Sequence, residues 1–153
     1  HDKKSAECFK VIELIFNDAN LKKSNKGRYA KRVSELFKNG YDLNIKNEEG
    51  QPLIKWCYEQ GYKELFSLLL EMGADINQQD DNGDTVLMSV CKNGDETTVE
   101  TLFEQREDVD IYLQDKNGLT VEDMALNNCQ SAILIRILDY AESLANTDDT
   151  ASQ

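Results

Sequence analysis

The chain has 153 residues, with 17 basic against 29 acidic side chains, one histidine, one proline and four cysteines, for a net charge of −12. That length suits one compact domain or a short array. A single histidine, and cysteines as scattered as Cys8, Cys57, Cys91 and Cys129, argue against a zinc site or a disulfide scaffold and for a reducing, cytosolic setting. No apolar run approaches the roughly 18 residues of a membrane span, and the start does not read as a secretory leader. It begins His1-Asp2-Lys3 without a methionine, as expected of a segment cut from a larger protein. Charge is uneven: residues 1–46 hold 11 basic and 6 acidic side chains, a net of +5, and residues 47–153 a net of −17. The acidic majority repels nucleic acid and anionic lipid. Only the basic start would attract them.

In chain order, residues 5–17 predict an amphipathic helix with Phe9, Ile12, Ile15 and Phe16 inward. Residues 18–27 are polar and predict a loop. A second helix is expected over 28–39, with Tyr29, Val33, Leu36 and Phe37 inward. A third is expected over 52–59, with Pro52 at its first position, where a missing N–H costs nothing. The next, over 62–72, carries Leu65, Phe66, Leu69 and Leu70 on one stripe and stops at Gly73. Asp80-Asp81-Asn82-Gly83 is turn chemistry. Thr85 predicts the N-cap of a helix over 86–92. A helix over 96–105 has a thin stripe, Val99, Leu102 and Phe103. Thr120 and Asp123 have capping-box spacing. The last helix carries Ile133, Leu134, Ile137 and Leu138, and residues 146–153, small and polar, predict a disordered tail.

The elements repeat. Gly50 to Gly83 and Gly61 to Gly94 are each 33 residues, and so is the step from Gly40-Tyr41-Asp42-Leu43-Asn44 to Gly73-Ala74-Asp75-Ile76-Asn77. Gly83 to Gly118 is 35, because Glu107-Asp108 is inserted ahead of Val109-Asp110-Ile111-Tyr112. Asn82-Gly83-Asp84-Thr85-Val86 returns as Asn117-Gly118-Leu119-Thr120-Val121. This period and these motifs resemble the ankyrin repeat, over residues 28–141. The resemblance implies an all-α fold, an α-solenoid of about four repeats with β-turn fingers and degenerate terminal caps. The segments are then 1–46, an N-terminal helix and degenerate capping repeat; 47–79 and 80–114, two repeats; 115–145, the C-terminal repeat or cap; and 146–153, the tail. A terminal repeat needs a polar outer face, which the basic residues of 1–46 would supply. The family's Thr-Pro-Leu-His signature is replaced by Pro52-Leu53-Ile54-Lys55, Thr85-Val86-Leu87-Met88 and Thr120-Val121-Glu122-Asp123. Without the histidine, turns less tightly tied than in a consensus array are expected.

Little here points to catalysis. The one imidazole is at residue 1, so Cys–His and Ser–His schemes lack a partner. No phosphate-cradling glycine motif occurs. Asp80-Asp81-Asn82-Gly83-Asp84 looks faintly like a calcium loop but lacks the Glu at its twelfth position. The reading is therefore no enzyme, no cofactor and no metal. Cys57 and Cys91 read as small buried apolar residues. The basic run Lys22–Arg32 reads as a solvated face, with a nuclear-import or acidic-partner signal as the alternative.

The resemblance implies a protein-interaction module whose partner docks on a concave side, made by turn tips and the exposed faces of first helices. Matched position by position, the tips are Glu48, Glu49 and Gln51, then Asp81, Asn82 and Asp84, then Lys116, Asn117 and Leu119. The first-helix positions are Tyr58, Glu59, Lys92 and Asn93, with Met88 and Leu119 as apolar rim contacts. Tyr58 is either an aromatic anchor or a filler of irregular packing; Trp56 reads as core. The acidic tips would steer a protein partner with a basic or mixed-charge surface or peptide. The expected molecule is a monomer capped at both ends, cytoplasmic, part of a scaffold or of an effector sent into a host cytosol. The alternative is a regulatory or targeting domain of an enzyme whose catalytic part lies outside these residues. Asn77 matches a position that is hydroxylated in some ankyrin arrays.

Overall fold

The computed structural model describes residues 3–18 and 23–151. Residues 1–2, 19–22 and 152–153, with parts of the expected loop, basic run and tail, lie outside the described residues. The described residues form eight α-helices and no strand; one isolated bridge joins Lys46 to Pro52. The chain divides into two compact units, His1–Asp81 and Asn82–Gln153.

The first unit holds α1 (Lys3–Phe16), α2 (Lys23–Lys38), α3 (Leu53–Gln60) and α4 (Lys63–Glu71). Both α2 and α3 pack on α4, where Leu65, Phe66, Leu69 and Leu70 are buried as their spacing predicts. An aromatic ladder ties α1 to this pair. Phe9 meets Trp56 edge-on at 5.6 Å, Trp56 meets Tyr62 at 5.2 Å, and Tyr62 meets Phe16 at 5.1 Å. The buried Tyr62 hydroxyl donates to the Phe16 carbonyl at 2.9 Å, so the polar end of the ring is satisfied. Neighbouring repeats are also tied by polar contacts one period apart. Asn44 Oδ1 accepts from Asp75 N–H at 2.8 Å, and Lys46 Nζ donates to the Gln79 carbonyl at 2.8 Å.

Three expectations are corrected here. The loop expected over 18–27 is helical from Lys23, because the first turns of α2 find tertiary partners: Lys26 Nζ lies 5.1 Å from the centre of the Tyr62 ring. The inward stripe of α2 is Ala30, Val33, Ser34 and Phe37, and Tyr29 and Leu36 are exposed. Ser34 fits because its hydroxyl donates to the Lys31 carbonyl at 2.6 Å. Pro52 is the N-cap of α3 rather than its first helical residue, with extended dihedrals of −62° and 145°.

The second unit holds α5 (Val86–Lys92), α6 (Glu96–Gln105), α7 (Val121–Asn127) and α8 (Ser131–Ala151). Here α5 packs on α6 and α7, and α8 on α6 and α7. The bounds of α5 and α6 match the sequence because their caps are strong: Thr85 Oγ1 accepts from Met88 N–H at 3.2 Å, and Asp95 Oδ1 from Thr98 N–H at 3.2 Å. At the two-residue insertion, Arg106 grips Asp108 through Nε at 2.9 Å and Nη2 at 2.6 Å. That hydrogen-bonded guanidinium holds the Asp108 carboxyl below its usual range, against the opposing effect of burial. Beyond the insertion, the Tyr140 hydroxyl accepts from the buried Val109 N–H at 3.1 Å, and its ring stacks on Phe103 at 4.3 Å. The stripe of α8 is thus Ile133, Ile137 and Tyr140; Leu138, expected inward, is exposed. No glycine or proline interrupts α8, and it runs through Ala151, where composition predicts a tail without structure.

Candidate partner-binding surface

The first and last fingers are each closed by one side chain. Asn47 Oδ1 accepts from the Glu49 and Gln51 N–H groups at 3.1 and 2.9 Å, and the Asn47 carbonyl accepts from Gly50 N–H at 3.0 Å. Asp115 does the same in the last finger, accepting from Asn117 and Leu119 N–H, both at 2.9 Å. Such side chains hold the turn themselves and leave the tip side chains free to face water. Gly50 takes φ 78°, and a Cβ there would collide with the Asp81 carboxylate of the following finger.

In the first unit, Glu48, Glu49, Glu59 and Asp81 are exposed, and Gln51 and Tyr58 half-buried. Tyr58 packs its ring 5.8 Å from Phe66, so much of it fills the space between α3 and α4. The Glu59 carboxylate is held within the unit: Lys55 Nζ lies 2.5 Å from Oε1, and the Gln51 amide donates to Oε2. Lys55 is only 4% exposed and also reaches Asp80 Oδ2 at 3.1 Å. Burial works to lower the pKa of this ammonium, but the hydrogen bonds to Glu59 and Asp80 outweigh it and leave it raised.

A cavity of about 300 Å³ brings Glu48, Glu49 and Gln51 together, beside Trp56 and the α1 residues Lys10 and Glu13. Trp56 is 5% exposed, core as expected, and also part of this wall. Asn47 Nδ2 donates to Glu13 Oε1 at 3.4 Å, linking finger to helix. Tyr58, Glu59 and Asp81 do not line the cavity. Sequence reasoning missed Lys10 and Glu13, because nothing in the pattern of residues 5–17 shows where that helix docks. The charge of Glu13 on the polar side of the stripe was the one available signal.

In the second unit, Asn82, Lys92, Asn93, Lys116 and Asn117 are exposed, and Asp84 and Leu119 half-buried. Asp84 pairs with Lys92 at 3.0 Å. Asn82 accepts from Lys116 twice, from N–H to its carbonyl at 2.8 Å and from Nζ to Oδ1 at 3.2 Å. Met88, expected as a rim contact, is corrected: it is 1% exposed, and its Sδ accepts from Thr85 N–H at 3.4 Å. It therefore offers a partner nothing. Met88 occupies the position of the missing signature histidine, as do Lys55 and Asp123. Asp123 Oδ2 accepts from Thr120 N–H at 3.0 Å and from Thr120 Oγ1 at 3.1 Å. Met88 and Asp123 tie their helix starts, so the expected loosening is not found at α5 and α7. Lys55 instead reaches Glu59 and Asp80, and the start of α3 has no side-chain cap.

Among the described residues, no helix is long and apolar enough to cross a membrane. The family profile described as ankyrin repeats (3 copies) matches residues 21–115 and 53–149. A probable E3 ubiquitin-protein ligase of Oryza sativa subsp. japonica is 32% identical over 93 residues, 61% of this chain and 19% of that protein. Ankyrin repeat and SAM domain-containing protein 6 of Rattus norvegicus is 35% identical over 108 residues, 69% of this chain and 12% of that protein. Ankyrin repeat domain-containing protein SAT10 of Stachybotrys chartarum is 27% identical over 109 residues, 67% of this chain and 6% of that protein. The match thus spans less than a fifth of the length of each of these relatives.

Proposed function

The chain belongs to the ankyrin-repeat family, and from that premise we propose that it is a non-catalytic module that recruits a protein partner through its acidic finger tips. Ankyrin repeats are generally protein–protein interaction modules. The observation that carries the finer reading is the cavity beside the first finger. The exposed Glu48 and Glu49 line it together with Glu13, three carboxylates against the single ammonium of Lys10, and Trp56 adds a rigid aromatic wall. A lysine or arginine side chain of a partner would find carboxylates for its charge and an aromatic ring for its stem. The second unit offers Asn82, Asp84, Lys92, Asn93, Lys116 and Asn117, a mixed-charge surface. The partner is accordingly a protein with a basic or mixed-charge surface, met in a cytoplasmic setting that keeps all four thiols free. A second reading, a targeting domain for a catalytic segment elsewhere in a longer chain, is favoured by the rice relative, named as a probable ligase and matched over only 19% of its length.

The test captures partners on the immobilised chain, then measures the affinity of a captured partner for the parent and for Glu48→Lys/Glu49→Lys. Circular dichroism checks that both fold alike. A partner bound roughly tenfold more weakly by the variant, and more weakly at high salt, supports the reading. Equal binding by both would remove the first finger from the surface.

A further inference from the structure

We propose that the groove between α1 and α2 seats the outer face of α8 from a second copy of this chain. A cavity of about 290 Å³ lies in that groove, walled by Glu7, Cys8, Val11 and Ile15 of α1 and by Leu36 and Tyr41. Val11 is 53% exposed and Leu36 is 41% exposed. The other face of α1 already packs inward through Phe9 on Trp56 and Phe16 on Tyr62, and α2 packs on α4. A helix pair that ends a stack carries a polar outer face; one that continues it carries an apolar one. This pair has the apolar kind.

The occupant follows from charge and shape. Residues 1–46 carry a net +5; residues 115–153 hold two basic and seven acidic side chains, a net −5. On α8 the side away from the core carries Ile135, 57% exposed, and Leu138, 47% exposed, three residues apart on one ridge. Asp139 and Glu142 flank that ridge and are exposed, as are Arg32 and Lys38 of α2. An apolar ridge with acidic neighbours enters an apolar groove on a segment of net positive charge, where Arg32 and Lys38 of α2 stand against Glu7 of the groove wall, as helix ridges enter grooves generally. The two faces differ, so the contact is heterologous, and each copy keeps one groove and one ridge free for the next.

Sedimentation velocity tests this on the 153-residue chain over a roughly hundredfold range of concentration, at low and high salt. The expected result is a mass that climbs past the dimer at low salt and falls back as salt screens the ends. Two variants are made, Val11→Lys/Leu36→Lys in the groove and Ile135→Asp/Leu138→Asp on the ridge, all at exposed positions. Each alone should stay single, with its dissociation constant raised roughly thirtyfold or more. Their equimolar mixture should form a dimer and nothing larger, because one variant keeps a good ridge and the other a good groove. A parent that stays single throughout overturns the proposal and leaves the groove to a helix of another protein. It is equally overturned if the ridge variant associates as well as the parent, since the groove would then pair without α8.

Discussion

Cys129 has φ 55°, the one non-glycine residue described in the left-handed region. Its two counterparts one and two repeats earlier are Gly94 and Gly61, at φ 65° and 80°. An L side chain there brings Cβ against the backbone, at a cost of roughly 1–2 kcal/mol. The thiol is exposed and fills no space in the core, so nothing offsets that strain. Cys129→Gly is therefore expected to stabilise the fold by about 1 kcal/mol, less the extra freedom glycine gives the unfolded chain. Urea unfolding of the two proteins measures it; an unchanged or lower midpoint would show the strain already relieved. The position was legible in the sequence, since the 35-residue step that carries Gly83 to Gly118 also carries Gly94 to Cys129. Met88 was not legible. A methionine on a first helix reads equally as rim or core, and only the Thr85 N–H aimed at its sulfur decides it.

The finger is the element whose packing is least visible in sequence. Gly83 and Gly118 occupy matched places, with φ 76° and 80°, yet their surroundings differ. A Cβ at Gly83 would stand 3.0 Å from the Asp115 and Lys116 backbone, whereas one at Gly118 meets nothing within 4 Å. Both alanine variants carry the dihedral strain of about 1 kcal/mol. Only Gly83→Ala also drives the last finger away from Asn82, where Lys116 N–H donates at 2.8 Å. It is expected to lose about 1–2 kcal/mol more than Gly118→Ala. Equal losses in thermal or urea unfolding would mean that the finger yields without resistance. Helices framed by caps and glycine stops were read to the residue, as α5 and α6 show, because those signals are local. The stripes of α2 and α8 were misphased for a common reason. Tyr29, Leu36 and Leu138 are apolar by composition, yet all three stand exposed. Ser34 and Tyr140 are polar but buried with their hydroxyls satisfied. The slot beside the first finger stayed hidden because it is made by docking α1, a tertiary event with no periodic signature.

At the scale of the whole molecule, each unit carries one fully buried thiol, Cys57 in the first and Cys91 in the second. Burial in apolar surroundings pushes Cys57 far up and Cys91 up to about 12, from an ordinary value of 9.0. The half-exposed Cys8 is raised by the same cause, while Cys129 is exposed. Between pH 9 and 12 the native state keeps the Cys91 proton that the unfolded chain has lost. The native state then binds more protons, and stability falls as pH rises. The contribution is whole below pH 9 and drains away toward the folded pKa, with a slope approaching about 1.4 kcal/mol per pH unit for each such thiol. Lys55, raised by its carboxylate partners, loses its contribution in the same direction at still higher pH. Urea midpoints taken from pH 7 to pH 10 should therefore fall for the parent. Cys91→Ala is expected to start lower at pH 7, for the cavity it leaves, and then to decline less steeply above pH 9. Parallel curves would mean that the Cys91 thiol titrates alike in both states and is open to water in the native fold. Alkylation at neutral pH gives a separate reading of the same burial. Cys129 should react first and Cys8 more slowly, with Cys57 and Cys91 reacting only as fast as the units open.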